Sequence, residues 1–185
     1  AKYLVSTYID NNLPAVPQAD ETLIAQALNL LSRCHQLEVD APVIDYIDHI
    51  EQYWNIIEAK NHLSNSNLLK QREPMRSLLD SLINSDTPTG LCHHDPVTAN
   101  FVGNKNRLYL IDWEYAARGL QVMDYAALGV EWEIADAVII GRTGINPELL
   151  AIAREVYHYE CQLWEAINRD RLCRSLLQEQ HPHGD

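Results

Sequence analysis

Long apolar runs are missing from this 185-residue chain. No stretch approaches the roughly 20 consecutive apolar residues that a helix needs to cross a bilayer, and no basic start followed by an apolar centre marks a signal peptide. A membrane partner is not expected. Positive charge is also scarce, with 14 Lys and Arg against 26 Asp and Glu and a formal net charge of −12. So acidic a chain repels the phosphates of nucleic acid, which removes that class of partner, while remaining compatible with a cationic ligand. The four cysteines, Cys34, Cys92, Cys161 and Cys173, lie far apart. That spacing fits the reduced thiols of a cytoplasmic protein better than a disulfide scaffold. Glycine is sparse at seven residues, and no glycine-rich loop of the phosphate-cradling kind is among them. What remains is ordinary: 46% hydrophobic and 22% charged residues, enough for one domain with a substantial core.

Polar chemistry is concentrated between Gly90 and Leu128. His93, Asp95 and Asn100 sit in a loop in which Pro96 and Thr98 disfavour regular helix, between the apolar approach Leu91-Cys92 and the strand-like Phe101-Val102. A turn at Gly103-Asn104 leads into Leu108-Tyr109-Leu110-Ile111, a β-rich run that stops at Asp112. Two short strands joined by that turn hold Asn100 and Asp112 at neighbouring strand ends, beside the loop carrying Asp95. Such a set suits phosphoryl transfer, which asks the protein to position groups and offset charge rather than to make covalent bonds. Asp95 can take a hydroxyl proton, and the Asn100 amide oxygen and Asp112 carboxylate are hard ligands of the kind Mg²⁺ prefers. A zinc reading of Cys92, His93, His94 and Asp95 is weaker. Adjacent residues of an extended segment point to opposite sides, so at most alternate members share one ion.

The elements His93-His94-Asp95, Asn100 and Leu110-Ile111-Asp112-Trp113-Glu114-Tyr115-Ala116 resemble the aminoglycoside phosphotransferase and choline kinase superfamily. The Ile-Asp-Trp-Glu-Tyr-Ala run is most similar to its bacterial choline kinase and thiamine kinase branches. The resemblance implies that Asp95 is the catalytic base, that His93 braces the loop, and that Asn100 and Asp112 hold Mg²⁺. Asp124 would fill the supporting acidic position that opens the following helix, either bonding back to the catalytic loop or capping its own helix. ATP is the implied co-substrate, and a small cationic alcohol the implied acceptor: choline, ethanolamine or thiamine ahead of an aminoglycoside. Family position puts the acceptor near Glu114, Glu131, Trp132 and Trp164, where aromatic faces and carboxylates attract a cation; at helical spacing the same residues also read as core.

The implied fold class is α+β and mainly helical, the C-terminal lobe of a protein-kinase-like fold with a small β-hairpin carrying the active site. Residues 1–12 are expected as hinge strand and linker, 13–177 as the lobe and 178–185 as a disordered tail. Lys2 to Ile9 is β-rich, and Ser6, Thr7, Tyr8 and Ile9 correspond to the nucleotide hinge. The family's N-terminal lobe, with its phosphate-covering loop and strand lysine, is not found ahead of that hinge. A non-catalytic kinase-like binding module is therefore the competing reading.

Elsewhere, helical periodicity predicts a helix from Glu21 to Leu37 capped by Asp20, one from Pro42 to about Lys60, and one over Leu68 to Asn84 that Pro74 kinks or starts. His35 reads as a packed structural histidine. Tyr115 to Met123 is expected as a loop, with a helix from Asp124 to about Val138 and a loop over Gly141 to Pro147. Asn146-Pro147-Glu148 then opens a long last helix. With the nucleotide contacts of an N-terminal lobe missing, the 185-residue polypeptide alone is expected to turn over little or no ATP. Measurable ADP release by the purified chain would overturn that expectation.

Overall fold

Asp20 opens the first helix: its carboxylate accepts a hydrogen bond from the Leu23 backbone N–H at 2.9 Å, occupying one of the donors that a helix leaves free at its start. The computed structural model describes residues 8–13, 20–60 and 66–179, the last eleven by backbone alone. In chain order the elements are α1 (Glu21–His35), α2 (Tyr46–Ala59), α3 (Ser66–Ile83), β1 (Thr89–Cys92), a 3-10 turn (Thr98–Asn100), β2 (Phe101–Asn104), β3 (Arg107–Leu110), β4 (Ala117–Leu120), α4 (Gln121–Glu131), α5 (Asp136–Thr143) and α6 (Pro147–Glu179). The fold is mainly helical α+β, the class expected. The strands form two antiparallel pairs, β1 with β4 and β2 with β3.

These elements fall into two units. The first comprises Ala1–Ile44 and Ser85–Arg154. Here the three- and four-residue spacing of Leu23, Ala27, Leu28 and Leu31 buries one side of α1, which packs against β1, β3, α4 and α5. Helix α4 is enclosed on all sides, with Val122 to Gly129 buried without interruption. α1 also approaches β1 closely, and Gly90 permits it: a Cβ there would lie 2.3 Å from the His35 carbonyl oxygen. The second unit comprises Asp45–Asn84 and Glu155–Asp185. Its core is Trp54, Ile57, Leu68, Tyr159, Leu163 and Ala166. The buried Trp54 indole donates to the Tyr159 hydroxyl at 3.0 Å, so the polar tips of both aromatics are satisfied as they enter the core.

Several boundaries differ from expectation for physical reasons. The helix predicted from Pro42 begins at Tyr46, because Val43 forms a parallel bridge with Arg118 and the Pro42 carbonyl accepts from the Arg118 N–H at 2.7 Å; Asp45 caps the helix instead. Within the predicted 115–123 loop, Ala117–Leu120 pairs with β1, and α4 starts at Gln121 rather than Asp124. The single helix expected to Val138 is two. Glu133, at φ 51°, reverses the chain while the Ile134 N–H bonds back to the Gly129 carbonyl at 2.9 Å, a C-terminal cap usually built on glycine. α5 then reaches Thr143, three residues into the predicted loop, and Gly144 ends it at φ 70°. α3 starts at Ser66 and runs through Pro74, which is exposed, so water can take the carbonyl its ring leaves without a partner. Tyr8 and Ile9 are not in a strand. Lys2 to Thr7, and the tail beyond Glu179, lie outside the described residues.

Because the atom beside Gly90 is backbone, Gly90→Ala is expected to lower stability by about 1–3 kcal/mol in urea denaturation. Gly141 lies within α5, and a Cβ there would meet nothing within 4 Å. Gly141→Ala should instead be neutral or stabilise by up to about 1 kcal/mol.

Candidate active site

As the chain leaves β1 it turns under a buried carboxylate. Asp124, fully enclosed in α4, accepts from the His93 backbone N–H at 2.9 Å and from the His94 N–H at 2.9 Å. His94 holds φ at 65°, which aims these two successive amides at the same group. A third donor comes from the end of α1, where His35 Nε2 lies 2.9 Å from Oδ2, the oxygen that also takes the His93 amide. A carboxylate can only accept, so the His35 proton is on Nε2. The His35 ring also meets the Tyr125 ring edge-on at 5.0 Å. Burial pushes the Asp124 carboxyl up, but the bond and charge of His35, the charge of His94 and the His93 amide outweigh it and hold it below the ordinary range. Of the two roles open to Asp124, the geometry shows bonds back to the loop; its own helix is preceded by Leu120 with no side-chain cap.

His93 is clamped at both ring nitrogens. Its Nε2 donates to the Ile111 carbonyl at 2.9 Å, and its Nδ1 accepts from the Asp95 N–H at 3.3 Å, which a neutral ring protonated at Nε2 does with both partners. Trp113 closes over it edge-on, centroids 4.8 Å apart, and ties its own indole N–H to the Leu110 carbonyl at 3.0 Å. Asn100, buried in the 3-10 turn, donates through Nδ2 to the Asp95 carbonyl at 2.8 Å and to the Asp95 carboxylate at 2.9 Å. Both partners are acceptors, so the nitrogen must face them and Oδ1 turns away. The Asn100 carbonyl accepts from the Ile111 N–H at 2.9 Å, joining the base of β2 to the end of β3. Asp112 follows immediately, exposed and in left-handed backbone at φ 64°.

Asp95 sits above the usual carboxylate range. Burial is the main cause; the Asn100 bond and His93 pull it down, while the negative charges of Asp112 and Glu131 push it up. Asp95 and Asp112 are thus close enough to repel. A hard divalent cation fits this donor set: an amide oxygen and a carboxylate beside a second carboxylate, with negative charge in surplus.

The remaining predicted residues differ in their surroundings. Glu114 is exposed and acts on the Tyr115 hydroxyl, which its charge, then burial, pushes up, with Asp95 and Asp112 contributing. Glu131 is half-buried. Trp132 is only 3% exposed and meets Phe101 edge-on at 5.0 Å; it is core rather than an open aromatic face. Trp164 belongs to the second unit and is exposed. Of the hinge residues, Tyr8 is exposed and Ile9 half-buried, while Ser6 and Thr7 lie outside the described residues. His35, Cys92 and Asp124 present ligand atoms within 4.8 Å of one another. Burial raises the Cys92 thiol far above its ordinary value, and three N–H donors already occupy Asp124, so this cluster is filled by protons rather than prepared for a metal.

A model of the phosphotransferase enzyme family matches residues 2–167. The chain belongs to that family. Among curated relatives, protein LicA of Haemophilus influenzae is 26% identical over 127 residues, covering 67% of this chain and 38% of the relative. Among solved structures, choline kinase LicA from Streptococcus pneumoniae superposes with a TM-score of 0.74 at 23% identity, over 91% of this chain and 66% of that one. A choline/ethanolamine kinase family protein from Mesorhizobium loti gives 0.64 at 21% identity, over 87% and 56%. The chain shares the fold of these two structures. This chain spans less than two-fifths of the curated relative's length.

Two features of the site escaped sequence reasoning. His35 read as packing, and its partner lies 89 positions away; the only local signal was a histidine on the buried side of α1. Gly90 offered none, because its role is set by a backbone brought close only by folding.

Asp124→Ala removes an acceptor that three donors share, and is expected to cost about 3–5 kcal/mol in urea denaturation. The folded carboxyl is depressed, so its contribution is fully present above the unfolded value near 3.9 and is lost as pH falls through the lower folded value. Acid titration of stability should therefore show a loss below about pH 4 that shrinks in the variant.

Proposed function

We propose that this chain carries the catalytic groups of an ATP-dependent phosphotransferase whose acceptor is the hydroxyl of a small cationic alcohol, with choline, ethanolamine or thiamine favoured. The observation that supports it most is the Asp95 carboxylate. It is half-buried, held at Oδ2 by Asn100, set by a loop that Asp124 fixes, and raised in the direction that makes a carboxylate a better base.

Asp95, with one oxygen held by Asn100, keeps the other for the acceptor hydroxyl. It takes the proton as that oxygen bonds to the γ-phosphorus, and the bond from phosphorus to the β-phosphate oxygen breaks to release ADP. His93 keeps the loop backbone in place and takes no proton, since both ring nitrogens are engaged. Asn100 Oδ1 and the Asp112 carboxylate are the groups that would hold Mg²⁺, which when bound supplies positive charge to the phosphate oxygens. Glu114 and Glu131 place further negative charge nearby, a field that attracts a cationic acceptor and disfavours an anionic one.

The test is ADP release with ATP-Mg²⁺ and a panel of choline, ethanolamine, thiamine and aminoglycosides, using protein expressed from the whole open reading frame. One of the first three should stimulate turnover, and Asp95→Asn should reduce kcat by about 10²–10⁴-fold while nucleotide binding persists. Turnover with an aminoglycoside alone would overturn the acceptor assignment. Full activity in Asp95→Asn would remove the base.

A further inference from the structure

The hairpin formed by β2 and β3, which ends in Asn100 on one side and Asp112 on the other, is held from outside at a point none of the assigned roles uses. Gly103, the third residue of β2, donates its N–H to Asn11 Oδ1 at 3.2 Å and accepts at its carbonyl from the Asn12 N–H at 2.8 Å. Both backbone groups of one residue are thus taken by two consecutive residues of the segment 8–13. Position 103 has little freedom to respond otherwise: its φ is 132°, and a Cβ would lie 2.2 Å from the Arg107 carbonyl oxygen. The tip of the same hairpin is tied to α1, with the Lys105 carbonyl accepting from Gln26 Nε2 at 2.7 Å and Lys105 Nζ 2.9 Å from Asp20. Its base is fixed by the Ile111 amide on the Asn100 carbonyl at 2.9 Å. Base and tip are therefore anchored by the lobe, and the outer edge by Asn11 and Asn12.

The geometry points to Asn11 as a positioning residue for metal binding. Its side chain locks the outer edge of β2, and through that edge sets where Asn100 stands relative to Asp112. This rests on the reading of Asn100 and Asp112 as the metal-holding groups. Asn12 contributes through backbone, which substitution leaves in place, whereas the Asn11 bond depends on a side-chain oxygen and can be removed alone. Asn11 is exposed, so its loss leaves no buried polar group behind.

The test is Mn²⁺ affinity, followed by electron paramagnetic resonance at saturating ADP, in protein expressed from the whole open reading frame, for the wild type, Asn11→Ala and Asn11→Asp. Asn11→Asp keeps an acceptor oxygen at the same reach, and its added charge is exposed and screened. Asn11→Ala is expected to weaken Mn²⁺ binding by about 5- to 10-fold, the effect of one hydrogen bond, and Asn11→Asp to restore it to within about twofold of the wild type. An Asn11→Ala protein that lowers the urea midpoint but binds Mn²⁺ like the wild type would overturn this inference alone. A wild type that binds no Mn²⁺ would overturn the metal reading of Asn100 and Asp112, and this inference with it.

Discussion

One buried negative charge organises the first unit. An isolated carboxylate in a protein interior costs several kcal/mol, and it persists only where donors replace the water it has lost. Asp124 has three such donors, each bond to a charged acceptor contributing about 1.5–3 kcal/mol. They come from separate parts of the chain: the end of α1 through His35, and the two loop amides of His93 and His94. The sum roughly balances the cost of burial, so the net gain in stability is modest. The gain in specificity is not, because the loop has one conformation that satisfies all three donors at once.

From that point, order spreads along the chain. With its backbone fixed by Asp124, His93 can bridge to the Ile111 carbonyl, which locates the end of β3 and so Asp112. Its other ring nitrogen receives the Asp95 amide, and Asn100 holds the Asp95 carboxylate from the far side. Each polar group of the site is thus oriented by another whose own position is already determined. Preorganisation of this kind is what phosphoryl transfer requires, since little reorganisation can be afforded while charge moves between oxygens.

The polar centre was legible in the sequence because its residues lie close together in the chain, in an order that local structure enforces. The β-rich run ending at Asp112 and the N-cap at Asp20 are short-range signals, and the elements they mark are present; the turn expected at Gly103-Asn104 lies instead at Lys105-Asn106, because pairing with β3 extends β2 through Asn104. Less legible were features created by distant partners. Ala117-Arg118-Gly119-Leu120 has neither alternation nor β-branched residues, and becomes a strand because β1 offers its edge. Nothing in Trp132 to Ala135 signals a helix end; the break is made by a glutamate in left-handed backbone, a residue type that rarely adopts it. Trp132 was among the best candidates for a ligand contact, although its helical spacing favoured core. Only the position of Phe101 across the unit decides for the core.

Gly90 brings the carbonyl of His35 against a strand with no side chain between them. Rotamers cannot absorb a change at such a contact, because both surfaces are main chain. The histidine that supports the loop after β1 is thereby spaced from the β1 backbone as rigidly as if the two were parts of one ring. Over evolutionary time, position 90 should therefore stay glycine whichever side chain position 35 carries, and whatever ligand a descendant of this chain comes to recognise.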